Sequence, residues 1–372
     1  MLQHGIGESR RAAIRGYLWL PPGPRDSLGA RGSVLGLARG PSVLTTKGFP
    51  MSSPFVSVVL PVYNRSLSLP AAIDSVLAQD PPADELIVVD DGSEEDLSPI
   101  LSRYAGRIVV HRQANGGVSS ARNAGTRLAR GQWLAFIDSD GEWLPGHVAA
   151  LHRDLAGAAP DTVVHLGDVR YKGRGYDQTI FEMKRVKGRY PTDRAVPEPR
   201  PVGLLASGMS PEGAAVRRDA FERVGGFDET MRIFEDTALF GKLLREGSFI
   251  VTGQELVIGY RLDDDPIALT GLEKREPVYA RQMYLRTLEN YLDLDLTPEE
   301  RRMVTARLSG ARLRLAQAEA ATGTGSPWST LISAARVHPR PLTGWGKSLI
   351  AGVFGARGYA YLLDSRERVD RS

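Results

Sequence analysis

Two carboxylates one residue apart, Asp138 and Asp140, follow the apolar run Leu134–Ile137 in the stretch LAFIDSDGEW. Alternate residues of an extended chain share a face, so a tight turn here aims both carboxylates into one cleft. Like charges that close repel, and a bound divalent cation relieves the repulsion while neutralising a phosphate-bearing ligand. Such an ion acts as a Lewis acid on phosphoryl oxygens and makes a nucleotide diphosphate a better leaving group. A second acidic pair, Glu235-Asp236, opens a helical pattern in which Leu239, Leu243 and Leu244 can face a core. Acidic residues in a first helical turn also favour the helix dipole, so spacing alone leaves this pair open between a structural and a chemical part.

The elements that must position these groups alternate. VSVVL (Val56–Leu60) is a β-branched strand pattern, followed by Leu69, Ile73, Val76 and Leu77 at helical spacing behind Ser68 as an N-cap. ELIVV (Glu85–Val89), a helix around Ile100–Tyr104, RIVVH (Arg107–His111), a helix over Ser119–Ala129 and WLAFI (Trp133–Ile137) continue the pattern. Such alternation predicts right-handed crossovers and a mainly parallel sheet buried on both faces, with the ligand beyond the carboxyl ends of the strands. Pro61-Val62-Tyr63-Asn64, Asp90-Asp91-Gly92-Ser93 and Asp138-Ser139-Asp140 all fall at those ends. Each alone reads as an ordinary turn, whereas three on one sheet edge predict a shared site. Glycines in NGGVSSARNAG (Asn115–Gly125) could instead cradle a dinucleotide at a helix N-terminus. Their spacing does not give Gly-x-Gly-x-x-Gly, and they follow the third strand pattern, not the first.

Composition narrows the chemistry. The 372 residues include no cysteine and six scattered histidines, which excludes disulfides and thiolate nucleophiles and points any metal site toward a hard ion, Mg²⁺ or Mn²⁺. The formal charge of +3 is concentrated in residues 1–50, where seven basic side chains face only Glu8 and Asp26. The rest of the chain has no general electrostatic reason to bind nucleic acid. Residues 1–53 lack sustained periodicity and are expected to be a disordered basic extension; a membrane-contacting arm, or a natural start at Met51, are the other readings. No run approaches the roughly 18–20 apolar residues needed to cross a bilayer, and no signal-peptide pattern opens the chain, so a cytoplasmic protein is expected.

SVVLPVYNR, LIVVDDGS, NGGVSSARNAGTRLARGQWLAFIDSD and FEDTALFGKLLREG, in this order and spacing, resemble glycosyltransferase family 2, the inverting GT-A glycosyltransferases, across Pro54–Leu262. The resemblance implies an α/β GT-A fold with a Rossmann-like, mainly parallel sheet over 54–265 and a mainly helical C-terminal region over 266–372. It implies that Pro61, Tyr63 and Asn64 line a nucleotide pocket, that Asp91 accepts from the base, and that Arg122 lies by the nucleotide. Asp138, with Ser139 beside it, would contact ribose or the metal region, and Asp140 would bind Mg²⁺ or Mn²⁺ on the donor pyrophosphate. Asp236 would be the general base, with Glu235 supporting the site or the acceptor, and Tyr260-Arg261 resembles an aromatic-Arg pair near donor phosphates, which places Arg261 in the donor set. The family commonly shows a further acidic residue after Asp140, where this chain has Gly141 and then Glu142.

The implied reaction moves a sugar from a nucleotide diphosphate donor to a hydroxyl of a glycan or lipid-linked acceptor, in polysaccharide or glycoconjugate synthesis. An acceptor hydroxyl is a poor nucleophile until a base removes its proton, and one positioned carboxylate suffices for inversion. A nucleotidyltransferase, or a sugar-nucleotide-binding protein without catalysis, are the competing readings. Tyr171–Gly208, rich in Gly, Pro, Arg and Lys, is expected to be an acceptor loop or a surface excursion. Val278, Leu285, Leu288 and Leu292 predict one helix. Thr297-Pro298-Glu299-Glu300 predicts a capping-box start for another, with Val304, Leu308, Ala311, Leu315 and Ala318 on one stripe. The apolar stretch Leu342–Leu363 either packs on the body or makes peripheral membrane contact.

Overall fold

The computed structural model describes residues 56–173, 175–206, 208–261 and 271–337. The 1–53 extension, the 342–363 stretch and the side chain of Arg261 lie outside the described residues.

The first half follows the predicted alternation. Strands β1 (Val56–Val62), β2 (Glu85–Asp90), β3 (Val109–Arg112) and β4 (Trp133–Phe136) are connected by helix α1 (Leu69–Leu77), short helix α2 (Ser98–Leu101) and helix α3 (Val118–Leu128). They pair in parallel in the spatial order β3-β2-β1-β4. Every residue of β1, β2 and β4 is buried, as continuous β-branched runs require when helices cover the faces. Gly125 lets α3 lie close on this sheet: a Cβ there would stand 2.4 Å from the Val59 side chain. Ser68 occupies the N-cap position of α1 but makes no capping hydrogen bond, and its hydroxyl is buried without a partner. The backbone of Ser68 is already in the helical region, which turns the hydroxyl away from the first turn.

Beyond β4 the sheet reverses. The short β5 (Glu142–Trp143) and helix α4 (His147–Ala156) lead into the long β6 (Thr162–Gly173), which forms a hairpin with β7 (Tyr176–Thr179). Helix α5 (Ile180–Met183), strand β8 (Val196–Pro197) and helix α6 (Val202–Leu205) precede β9 (Ala214–Arg217). Helices α7 (Arg218–Arg223) and α8 (Glu235–Leu243) then lead to β10 (Ser248–Arg261). Strand β9 lies antiparallel between β4 and β6, while β6 and β10 run parallel. An antiparallel strand inserted here brings its N-terminal end to the edge where its parallel neighbours end. The sheet is thus parallel in its first half and mixed in its second, a reversal that AAVR is too short to announce in its pattern.

Four helices follow, α9 (Leu272–Arg275), α10 (Pro277–Leu292), α11 (Pro298–Thr322) and α12 (Pro327–Val337); α10 and α11 pack on the body, α9 against α10 and α12 against α11. The capping box forms as expected: Thr297 Oγ1 accepts from the Glu300 amide at 3.2 Å, and Glu300 Oε2 from the Thr297 amide at 2.8 Å. Val304, Leu308, Ala311 and Leu315 join the main core, whereas Leu313 and Ala316 form a second cluster with Leu331 and Ala334 of α12. Helix α11 therefore buries two faces, and a single apolar stripe did not foretell α12. Thr297→Ala removes one side of the capping box and should lower stability by about 1 kcal/mol, as a reduced urea midpoint with unchanged slope.

Candidate active site

The loops at the carboxyl edge of the parallel strands are tied together by side chains. After β1, Asn64 takes a left-handed conformation (φ 51°). Its Oδ1 accepts from the amides of Glu94 and Glu95 at 2.8 and 3.3 Å. This braces the loop after β1 against the loop after β2. Pro61 is buried within β1, and Tyr63 is half-buried beside Asn64. Asp91 Oδ1 accepts from Gln113 Nε2 at 2.8 Å and from the Gly116 amide at 2.9 Å, and its Oδ2 accepts from the Gly117 amide at 2.8 Å. The carboxylate thus holds the glycine-rich entry to α3, leaving one lone pair on Oδ2 for a further donor.

Arg122, on α3, is buried at 3 % exposure. Its Nη2 donates to Asp138 Oδ1 at 2.7 Å and its Nη1 to Glu235 Oε1 at 2.9 Å. The guanidinium also lies 5.3 Å from the Phe227 ring centroid. Sequence reasoning put Arg122 beside a nucleotide; the structure makes it the bridge between the acidic turn and the acidic helix start. Two carboxylates on one guanidinium hold it charged far above any working pH.

The acidic turn is closed by the Gly141 amide donating to the Asp138 carbonyl at 2.9 Å. Ser139 is buried, and Asp138 and Asp140 are half-buried. Glu142 follows on β5, where its Oε2 accepts from the Tyr260 hydroxyl at 2.8 Å. Below the turn lies a residue that sequence reasoning missed. Glu212, two residues before β9, is 3 % exposed, and its Oε1 has no hydrogen-bond partner. Burial, with Asp138 and Asp140 nearby, pushes its carboxyl well above the usual range. A glutamate between Pro211 and Gly213 reads as an exposed turn, and only the reversed direction of β9 brings it here.

Glu235 and Asp236 begin α8 behind Phe234, which adopts φ 63° and packs its ring 5.1 Å from that of Tyr284 on α10. A non-glycine residue in this region is uncommon and is held by its surroundings. The turn presents both carboxylates at one place. Asp236 Oδ1 accepts from the amide and hydroxyl of Thr237. Burial, with Glu235 adjacent, pushes Asp236 up to about 7.

Asp236, Glu235, Arg122 and Asp138 line one cavity of about 1010 Å³. The 171–208 segment forms much of its wall through Tyr171, Tyr176, Lys184 and Tyr190, and α11 adds Arg307. Burial, with Arg307 close, pulls Lys184 down to about 8. Tyr63, Asn64, Asp91 and Asp140 lie along the sheet edge and do not belong to this lining. The predicted residues therefore divide into a bracing group on the β1 and β2 loops, Asp140 on the turn after β4 outside the lining, and a group converging on the cavity. Arg261 Cα pairs with Gly173 at the end of β10. Among the described residues no cluster of three or more His, Cys, Asp or Glu is arranged to hold a metal.

A parallel half-sheet with polar loops at its carboxyl edge, continued by a mixed half-sheet and closing on a carboxylate-lined cavity, defines a GT-A glycosyltransferase fold. Residues 57–225 match the family described as Glycosyl transferase family 2. An uncharacterized glycosyltransferase of Rickettsia typhi is 30 % identical over 230 residues, covering 60 % of this chain and 69 % of the relative. A PGL/p-HBAD biosynthesis glycosyltransferase of Mycobacterium bovis is 26 % identical over 190 residues, covering 50 % and 68 %. The crystal structure of S. aureus TarS 1–349 in complex with UDP-GlcNAc superimposes with a TM-score of 0.60 at 17 % identity, covering 84 % of this chain and 92 % of that one. The chain belongs to glycosyltransferase family 2.

Proposed function

We propose that this protein is an inverting, metal-dependent glycosyltransferase. It moves a sugar from a nucleotide diphosphate to a hydroxyl acceptor in polysaccharide or glycoconjugate synthesis. The observation that carries the reading is Asp236, a carboxyl poised near neutrality on the wall of a cavity that Arg122 links to the acidic turn. The biosynthetic setting is supported by the mycobacterial relative's name, and the nucleotide-sugar donor by the sugar-nucleotide complex of the TarS structure. A nucleotidyltransferase reading leaves Asp236 without a task.

The residues divide the work as follows. Asp236 takes the proton from the acceptor hydroxyl as the oxygen attacks the anomeric carbon from the face opposite the nucleotide. The C1–oxygen bond to the diphosphate breaks, and its electron pair leaves with the nucleotide. Glu235, fixed by Arg122, disfavours a charge on its neighbour and so keeps Asp236 a stronger base than a free carboxylate. The carboxylate oxygens of the acidic turn, with the partnerless buried oxygen of Glu212 beside them, are the donor type a hard divalent ion takes. Asp140, with Asp138, would hold Mg²⁺ or Mn²⁺ together with donor phosphate oxygens, and the ion would stabilise the departing diphosphate. The wall formed by Lys184, Tyr190 and Arg307 is the acceptor side in this reading.

Asp140→Ala should abolish the Mn²⁺-dependent part of UDP binding in calorimetry and leave the fold intact by circular dichroism. The same UDP affinity with and without Mn²⁺ in the native protein would remove the metal from the proposal. Release of UDP together with a glycosylated product, assayed on an acceptor library with a panel of sugar nucleotides, tests the whole reading.

A further inference from the structure

Two glycines, Gly141 in the acidic turn and Gly259 on β10, border one buried carboxylate. A Cβ on Gly141 would stand 2.3 Å from Glu212 Oε1, and one on Gly259 of β10 would stand 3.0 Å from Glu212 Oε2. A side chain at 141 would therefore force the Glu212 carboxyl to shift. Glu212 Oε2 is approached by the Ser210 hydroxyl at 3.3 Å, while Oε1 lies buried with no donor. An unpartnered buried carboxylate oxygen is costly and calls for a reason. The antiparallel course of β9 supplies one, because it delivers Glu212 to the same edge as Asp138 and Asp140.

We propose that Glu212, just before β9, backs the acidic turn with a buried carboxyl in the space that Gly141 leaves open, and acts as a positioning residue, not a ligand, for a divalent cation held at Asp140. Its role toward the cation rests on the nucleotide-sugar reading, whereas its steric conflict with a side chain at 141 does not. Glu212 reaches the turn from the segment just before β9, so a carboxyl group is present although the motif itself ends in glycine.

The test uses the full chain, with Mn²⁺ and UDP as probes in calorimetry and melting temperature as a second readout. Glu212→Gln keeps the shape and should melt at or above the native temperature, while Mn²⁺-dependent UDP binding weakens by about 10- to 100-fold. Gly141→Asp alone should melt lower, because its side chain meets Glu212. Combined with Glu212→Ala, the same substitution should melt above Gly141→Asp and bind Mn²⁺ and UDP better than Glu212→Ala alone. Native-like binding by Glu212→Gln, or a double variant that binds no better than Glu212→Ala, overturns the positioning role. A native chain that binds UDP without regard to Mn²⁺ overturns the cation itself, and the melting of Gly141→Asp against the double variant then still reads the steric exchange.

Discussion

Asp236→Asn is expected to slow sugar transfer by about 10²- to 10⁴-fold, the usual contribution of a positioned general base, while UDP affinity stays at the native value. Asparagine keeps the size of the side chain and can still accept from Thr237, so the loss reports proton transfer and not collapse of the cavity. The effect should appear in kcat with little change in donor KM. Native turnover should itself rise with pH through about 7, as Asp236 loses its proton. Stability should move the other way. A carboxyl whose folded pKa lies above its unfolded value of about 4 contributes fully below that pH, and the contribution is lost as pH rises through about 7. Equal turnover by Asp236→Asn and the native protein would take the base out of the mechanism.

Arg122→Met should cost about 3 kcal/mol of folding stability, read from urea denaturation. Breaking a buried ion pair by removing one partner costs about 3–5 kcal/mol, because it leaves a buried charge uncompensated. The lower end applies here since the Asp138 side chain remains 34 % exposed and can turn to water, whereas that of Glu235 is 10 % exposed and cannot. A second substitution, Glu235→Gln, should return part of the loss in a double-mutant cycle. If Arg122→Met melts like the native protein, the guanidinium bridge is not what joins the acidic turn to α8.

What was legible in the sequence follows from period and punctuation. The first four strands were readable because β-branched runs ended in Asp, Asn and Gly, and parallel crossovers made their carboxyl ends a common edge. The Thr297 capping box was readable because both its members are local. What escaped depended on contacts between distant segments. Arg122 was expected at a ligand, yet its partners Asp138 and Glu235 lie 16 and 113 residues away. Glu212 gave no signal at all, since its place depends on segments far away in sequence, among them Gly141 and Gly259. Tyr171–Gly208 lacked periodicity because it folds as a hairpin and short helices, too brief to show a repeat.

Much of the cavity wall is assembled from the 171–208 segment, together with Arg307 on α11, which stands beyond the 57–225 stretch shared with the family. In the proposed reading the wall that would face the acceptor thus draws on both sides of that boundary, and the base Asp236 stands beyond it as Arg307 does. Exchanging the trailing helices between relatives should redirect which alcohol is glycosylated while leaving the sugar that is handed over unchanged.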